Sequence, residues 1–134
     1  FIMWVTLQNW LYVVSALSLF GSLQGFFSPN TLKERQFSNA PDQVTPLCRR
    51  LFGAWTLVAT SVRFACAYSP EPTLYLVTFS TFIIVTIVYG SETFIFKTVP
   101  VKNAIAPFFV ASVSLAWMYI EMLNFVPFMA QFLP

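Results

Sequence analysis

Three ionisable side chains, Arg63, Glu92 and Glu121, stand inside or beside long apolar runs. A charge at hydrocarbon depth costs a few kcal/mol if it faces lipid, so each must face protein, water or the headgroup layer. Linked across a bilayer, such groups relay protons or carry ions; gathered in separate clusters near opposite faces, they form structural ion pairs. The second and third apolar runs fold back on each other about Ser69-Pro70-Glu71-Pro72. Glu92 then shares a depth with Arg49 and Arg50, each ~20 residues from that turn. Arg63 falls near the opposite face, at the depth of Glu121, with Glu71 in the turn as a second partner reached by snorkelling. Two separated clusters favour structural pairing over a path.

Other chemistries are excluded by composition. Histidine is absent, which removes His-ligated haem, di-iron and zinc sites and the Ser-His-Asp triad. Cys48 and Cys66 would stand ~27 Å apart along one helix, too far for a disulfide within the chain. They read as small apolar packing residues. No glycine-rich phosphate loop, metal-ligand cluster or nucleophile beside a base is present. Neither a catalytic residue, a cofactor nor a metal is expected, and a net charge of +2 gives no nucleic-acid surface. Serines set singly in apolar runs are expected to bond the carbonyl of the preceding turn.

The elements that must position these charges are membrane helices. Phe1 to Leu32 carries no charged side chain; charged residues are 9% of the chain and apolar ones 57%. A soluble domain carries about 25% charge, and a helix needs about 20 apolar residues to cross a bilayer. The expected fold is all-α, a polytopic bundle of four transmembrane helices in one membrane domain, at about 6–27, 47–68, 73–96 and 104–125. Ser28-Pro29 ends the first helix, Thr45-Pro46 starts the second, and Pro107 sits in the first turn of the fourth. Pro127 and Pro134 flank a short apolar tail suited to the interface. The opening run is too long, and lacks the flanks, to be only a signal peptide. Lys33, Arg35, Arg49, Arg50, Lys97 and Lys102 fall on one side of such a bundle. The positive-inside rule puts the Pro29–Pro46 and Lys97–Asn103 connections in the cytoplasm or its equivalent, with both termini lumenal. Trp4, Trp10, Trp55 and Trp117 lie toward helix ends, where amphipathic rings prefer the headgroup level.

Small and hydroxyl residues repeat along the second helix: Arg49, Gly53, Thr56, Thr60, Arg63 and Ala67. Such stripes let membrane helices approach closely and bond across the gap. Opposing stripes are Thr78, Thr81, Tyr89 and Glu92 on the third helix, and Ala111, Ser114 and Glu121 on the fourth. The first helix offers a G-x-x-x-G at Gly21 and Gly25, read as internal packing ahead of self-association.

Several segments resemble a known family. Arg50-Leu51-Phe52-Gly53-Ala54-Trp55-Thr56, followed by Arg63, resembles the Arg-x-Phe-Gly-x-Trp-Thr signature of the ergosterol biosynthetic protein 28 family. Gly90-Ser91-Glu92 with Phe94-Ile95-Phe96, Asn9-Trp10-Leu11 with Gly21-Ser22-Leu23-Gln24, and Ala106-Pro107 with Leu115-Ala116-Trp117-Met118-Tyr119 resemble its other helices in the same order. The resemblance implies a four-helix membrane protein of the endoplasmic reticulum with no catalysis of its own. It would tether the enzymes of sterol C-4 demethylation: a methyl oxidase, a decarboxylating dehydrogenase and a ketoreductase. The motif carries over to Arg50, Gly53, Trp55, Arg63 and Glu92, and it tips the partner of Glu92 toward Arg50. The chain departs from the family pattern at Val88-Tyr89, where members often carry His-Phe, and at Leu51, where a threonine often stands.

The expected function is therefore a non-enzymatic membrane scaffold whose partners are sterol C-4 demethylation enzymes and membrane lipids. The alternative is an accessory subunit of a larger membrane complex, such as a respiratory assembly of the mitochondrial inner membrane. A third class is a small lipid- or sterol-binding or transport protein.

Overall fold

The structure is a computed structural model. It describes residues 2–28 and 30–129, with side chains over 5–28 and 30–123. The elements are α1 (Ile2–Phe27), a short α2 (Thr31–Arg35), a 3-10 turn (Pro41–Gln43), α3 (Pro46–Tyr68), α4 (Pro72–Phe94) and α5 (Val101–Met129). No strand occurs among the described residues. Four of the helices are long and apolar enough to cross a membrane: Val5–Phe27, Pro46–Tyr68, Pro72–Phe94 and Val101–Leu123. The fold is all-α, as the apolar runs require.

Local chemistry sets the helix ends. Thr45 is extended, and its Oγ1 accepts from the Cys48 amide at 3.1 Å, with Pro46 as the first helical residue. The hydroxyl satisfies one orphan donor, and proline has none to lose. Pro72 opens α4 in the same way, after an extended Glu71. α5 begins at Val101, earlier than its sequence suggests, so Pro107 lies beyond the first turn. The helix also continues through Pro127 to Met129; Pro29, Pro134 and the end of the expected tail lie outside the described residues.

The bundle is built from two pairs, α1 on α3 and α4 on α5. At the end carrying the Ser69–Pro72 turn, the pairs meet in a packed core of Leu7, Leu11, Val14, Cys66, Ala67, Tyr75, Phe82 and Met118. Polar bonds cross this core. Gln8 Nε2 donates to the Ala67 carbonyl at 2.6 Å, and Tyr75 Oη donates to the Met118 carbonyl at 2.6 Å. Trp10 Nε1 donates to Ser114 Oγ at 2.9 Å, and its ring stacks on Trp117 at 6.2 Å. Trp10 and Trp117 thus pack between helices; the Trp4 side chain lies outside the described residues.

At the opposite, loop end, α1 and α3 touch backbone to backbone. A Cβ on Gly25 would lie 3.1 Å from the Arg49 carbonyl oxygen and from the Gly53 Cα and N. Ser22 Oγ donates to the Gly53 carbonyl at 2.8 Å beside this crossing. Gly21 plays no part in it: a Cβ there would meet nothing within 4 Å. The packing pair is Gly25 with Gly53, not Gly21 with Gly25, because consecutive turns of a crossing helix diverge from its partner.

The two connections at this end form one cap. Leu32 and Val44 are buried anchors. Asn39 N donates to the Thr98 carbonyl at 3.2 Å, and Asn103 Nδ2 donates to Ser38 Oγ at 3.1 Å and to the Gln36 carbonyl at 3.4 Å. Tyr89 Oη donates to Gln36 Oε1. A second cluster of Tyr89, Val99 and Ala104, flanked by Phe37, Val85 and Phe108, lies under the cap.

Alanine at the three α1 and α3 glycines should separate these roles. Gly25→Ala meets backbone, which cannot yield, and should destabilise by about 1–3 kcal/mol. Gly53→Ala meets only the Phe26 ring, at 2.9 Å, which can swing away, and should cost less. Gly21→Ala should be neutral or stabilising by up to about 1 kcal/mol, from helix propensity. Thermal unfolding of the three variants in one mild detergent gives the order.

Candidate functional site

Where the helix pairs separate, between the packed core and the cap, lies a cavity of about 290 Å³. All four long helices line it: Ser18 and Gly21 of α1, Trp55 and Arg63 of α3, Phe82 and Tyr89 of α4, and Pro107 and Ala111 of α5 among them. Its size is at the small end of ligand pockets, about 300–1,000 Å³.

Arg63 is its one charged lining residue among the described residues, and it is only 5% exposed. Its Nε donates to Thr81 Oγ1 at 3.2 Å and its Nη1 to Ser18 Oγ at 2.7 Å. The guanidinium carbon lies 4.3 Å from the centre of the Phe82 ring, within cation–π range. Nη2 has no hydrogen-bond partner among the described residues.

The expected Arg63–Glu121 pair is not formed. Glu121 is 1% exposed, and neither of its oxygens has a hydrogen-bond partner among the described residues. Arg63 is held at the level of Thr81, whereas Glu121 follows Met118, whose carbonyl takes the Tyr75 hydroxyl. Tyr75 and Thr81 are ~9 Å apart along α4, so base and acid occupy different layers.

The expected Glu92 pairing with Arg50 or Arg49 is also absent among the described residues. Glu92 instead closes its own helix end. Its carboxylate accepts from Thr98 Oγ1, and its carbonyl accepts from the Thr98 amide at 2.8 Å and the Val99 amide at 3.3 Å. Lys97 takes a left-handed φ of 58° to make this turn. Arg50 is exposed on the outer side of α3. Shared depth placed these residues at one height, but successive helical residues turn by about 100°, and Arg50 faces away.

The small-residue stripe of α3 is buried at Gly53, Thr60, Arg63 and Ala67. Its hydroxyls do not bond across the gap: Thr56 donates to the Phe52 carbonyl and Thr60 to the Thr56 carbonyl, each at 2.8 Å. Trp55 lines the cavity, its ring edge-on to Phe52 at 5.7 Å. On α4 and α5, Thr78, Tyr89, Ala111, Ser114 and Glu121 are buried. Cys48 and Cys66 are free and both lie on α3. No group of three or more potential metal ligands occurs among the described residues.

Ser18 stands outside the motifs that the sequence displays. A signal for it exists: Ser15, Ser18, Ser22 and Gly25 recur at three- and four-residue steps on α1, a second small stripe opposite that of α3. The G-x-x-x-G spacing points to Gly21, one position off that stripe.

Comparison with known proteins gives a consistent result. The sequence model of the family described as "Erg28 like protein" matches residues 7–116. The chain is 39% identical over 117 residues to ergosterol biosynthetic protein 28 of Candida albicans, covering 86% of this chain and 84% of that protein. It is 34% identical over 115 residues to the protein of the same name in Saccharomyces cerevisiae, covering 84% and 78%. Against the human ergosterol biosynthetic protein 28 homolog it is 34% identical over 116 residues, covering 85% and 83%. No solved structure gives a significant match.

A double-mutant cycle should place Glu92 in the turn. Glu92→Ala and Thr98→Val should each lower stability by about 1 kcal/mol, with coupling between them. Glu92→Ala and Arg50→Ala should be additive, and Arg50→Ala alone should stay within about 0.5 kcal/mol of the parent. Unfolding midpoints in detergent measure both cycles.

Proposed function

Because this chain belongs to the Erg28 family, whose relatives are named as ergosterol biosynthetic proteins, we propose that it is a non-enzymatic integral membrane scaffold serving sterol biosynthesis. It holds together the membrane enzymes of sterol C-4 demethylation, a methyl oxidase, a decarboxylating dehydrogenase and a ketoreductase. The observation that carries this reading is the family match over residues 7–116 in a chain made almost entirely of membrane helices. Tethering raises the effective concentration of one enzyme near the product of another and requires no new chemistry.

The geometry supports two kinds of contact surface. The first is the outer face of the helices, where large apolar residues such as Phe20, Leu51, Val58, Ile87 and Phe109 are exposed. In a bilayer these meet lipid tails or partner helices. The second is the loop-end cap, cross-linked by Asn39, Asn103 and Gln36 so that both connections present one surface. Arg35, Arg50, Lys97 and Lys102 are exposed there. By the positive-inside rule this cap faces the cytoplasm, at the endoplasmic reticulum, where it is available to cytoplasmic domains of the tethered enzymes.

Capture of the tagged protein from native membranes in a gentle detergent, with mass spectrometry of what accompanies it, tests the reading. The three demethylation enzymes should be recovered together. Arg35→Glu, Lys97→Glu and Lys102→Glu combined should weaken recovery several-fold while leaving the abundance of the chain unchanged, since these side chains are exposed. Recovery of respiratory or other unrelated membrane subunits in place of the sterol enzymes would overturn it.

A further inference from the structure

The cavity holds an unbalanced charge. A guanidinium stays protonated under all ordinary conditions and offers five N–H donors. Both hydrogen-bond partners of Arg63, Ser18 and Thr81, are neutral hydroxyls, and its ring partner is Phe82. No acidic residue lines the cavity, and Nη2 has no acceptor among the described residues. Burying a cation at hydrocarbon depth without a counter-charge costs several kcal/mol. The packing of the bundle does not call for it: the close helix crossing is made at Gly25 and Gly53, and the core at the turn end is closed by Leu11, Phe82 and Met118.

We propose that this cavity binds a lipid carboxylate, with the acid group on Arg63 and the apolar body running toward the cap. The charge count fits a monoanion, since a single cation lines the space. Arg63 lines the space, and its Nη2 is a buried donor with no acceptor among the described residues. The walls fit an apolar body: Phe52, Trp55, Ala59, Val85, Val110 and Ala111 line the space. From Arg63 to Phe52 the site extends ~16 Å along α3. Gln36 and Tyr89, bonded to each other, form its polar upper rim. The site stands on the cavity and on Arg63, independently of any tethering role. A carboxylate of this kind has two sources in a membrane, a fatty acid or an acidic sterol, and only the sterol source rests on the scaffold reading above.

Photolabelling of the purified full chain in lipid nanodiscs tests the site. The probes are a diazirine-bearing palmitic acid and a diazirine-bearing sterol carboxylic acid, each beside the corresponding alcohol. The acid should label cavity-lining residues saturably, and the alcohol should label them about tenfold less. Two variants locate the label. Arg63→Met removes the charge at similar volume, and its unfolding midpoint, expected at or above that of the parent, shows that it is folded. Gly21→Leu fills the cavity from a position where an added Cβ meets nothing within 4 Å, and leucine favours the helix over glycine. Each variant should lower acid labelling about tenfold. Labelling by the sterol acid alone supports the site with a sterol ligand; labelling by palmitic acid, alone or with the sterol acid, supports it with a general acyl ligand. The proposal is overturned if neither acid labels the cavity saturably, if the alcohols label it as well as the acids, or if folded Gly21→Leu leaves labelling unchanged.

Discussion

Two backbones touch where Gly25 of α1 crosses Gly53 of α3, and the remaining geometry follows from that contact. In a bilayer no hydrophobic force separates helix–helix from helix–lipid contact, so association depends on close packing and on bonds that lipid cannot supply. The crossing provides both: side-chain-free approach, and a Ser22 hydroxyl on the Gly53 carbonyl. With α1 and α3 pinned at the loop end, and the two helix pairs packed through Phe82, Leu11 and Met118 at the turn end, the space between the pairs stays open at mid-depth. The cavity is a consequence of joining two tight pairs at different heights.

Polar groups in the bundle divide into two economies. Most hydroxyls are satisfied within their own helix, as at Ser15, Thr56, Thr60, Thr78, Thr86 and Ser114, each bonding a carbonyl one turn back. These residues narrow a helix without tying it to a neighbour. A smaller set, Gln8, Trp10, Ser22, Tyr75 and Tyr89, crosses between elements and sets register. Arg63 also crosses between elements, from α3 to α1 and α4, but carries a charge. It reaches two helices through hydroxyls that also donate to backbone carbonyls or stand on the cavity wall, and it retains donors that the bundle does not use.

Tyr89 ties the third long helix to the loop-end cap. Tyr89 is buried and donates to Gln36 of the capping segment. This phenol–amide bond ties α4 to the cap, whose two connections are joined to each other through Asn39 and Asn103. Gln36 of the cap and Tyr89 of α4 both line the cavity, so the cap and the cavity share a residue.

Hydropathy and proline punctuation determined the membrane class, the four long helices, the hairpin at Ser69–Pro72, the helix start at Thr45–Pro46 and four of the buried residues of α3, Gly53, Thr60, Arg63 and Ala67. These follow from the sequence because they are one-dimensional: length, period and local backbone chemistry decide them before any helix meets another. Counting residues from the Ser69–Pro72 turn put Arg63 level with Glu121, but the structure sets them in different layers. Rotation about the helix axis and the offset between helices were not legible. They decided that Arg50 faces outward, that Glu92 closes its own turn with Thr98, that Arg63 meets Ser18 and Thr81 rather than Glu121, and that Gly25 rather than Gly21 makes the crossing. Side-chain partners and a cavity depend on how four cylinders are turned and shifted against each other, and only their mutual packing sets those angles and offsets.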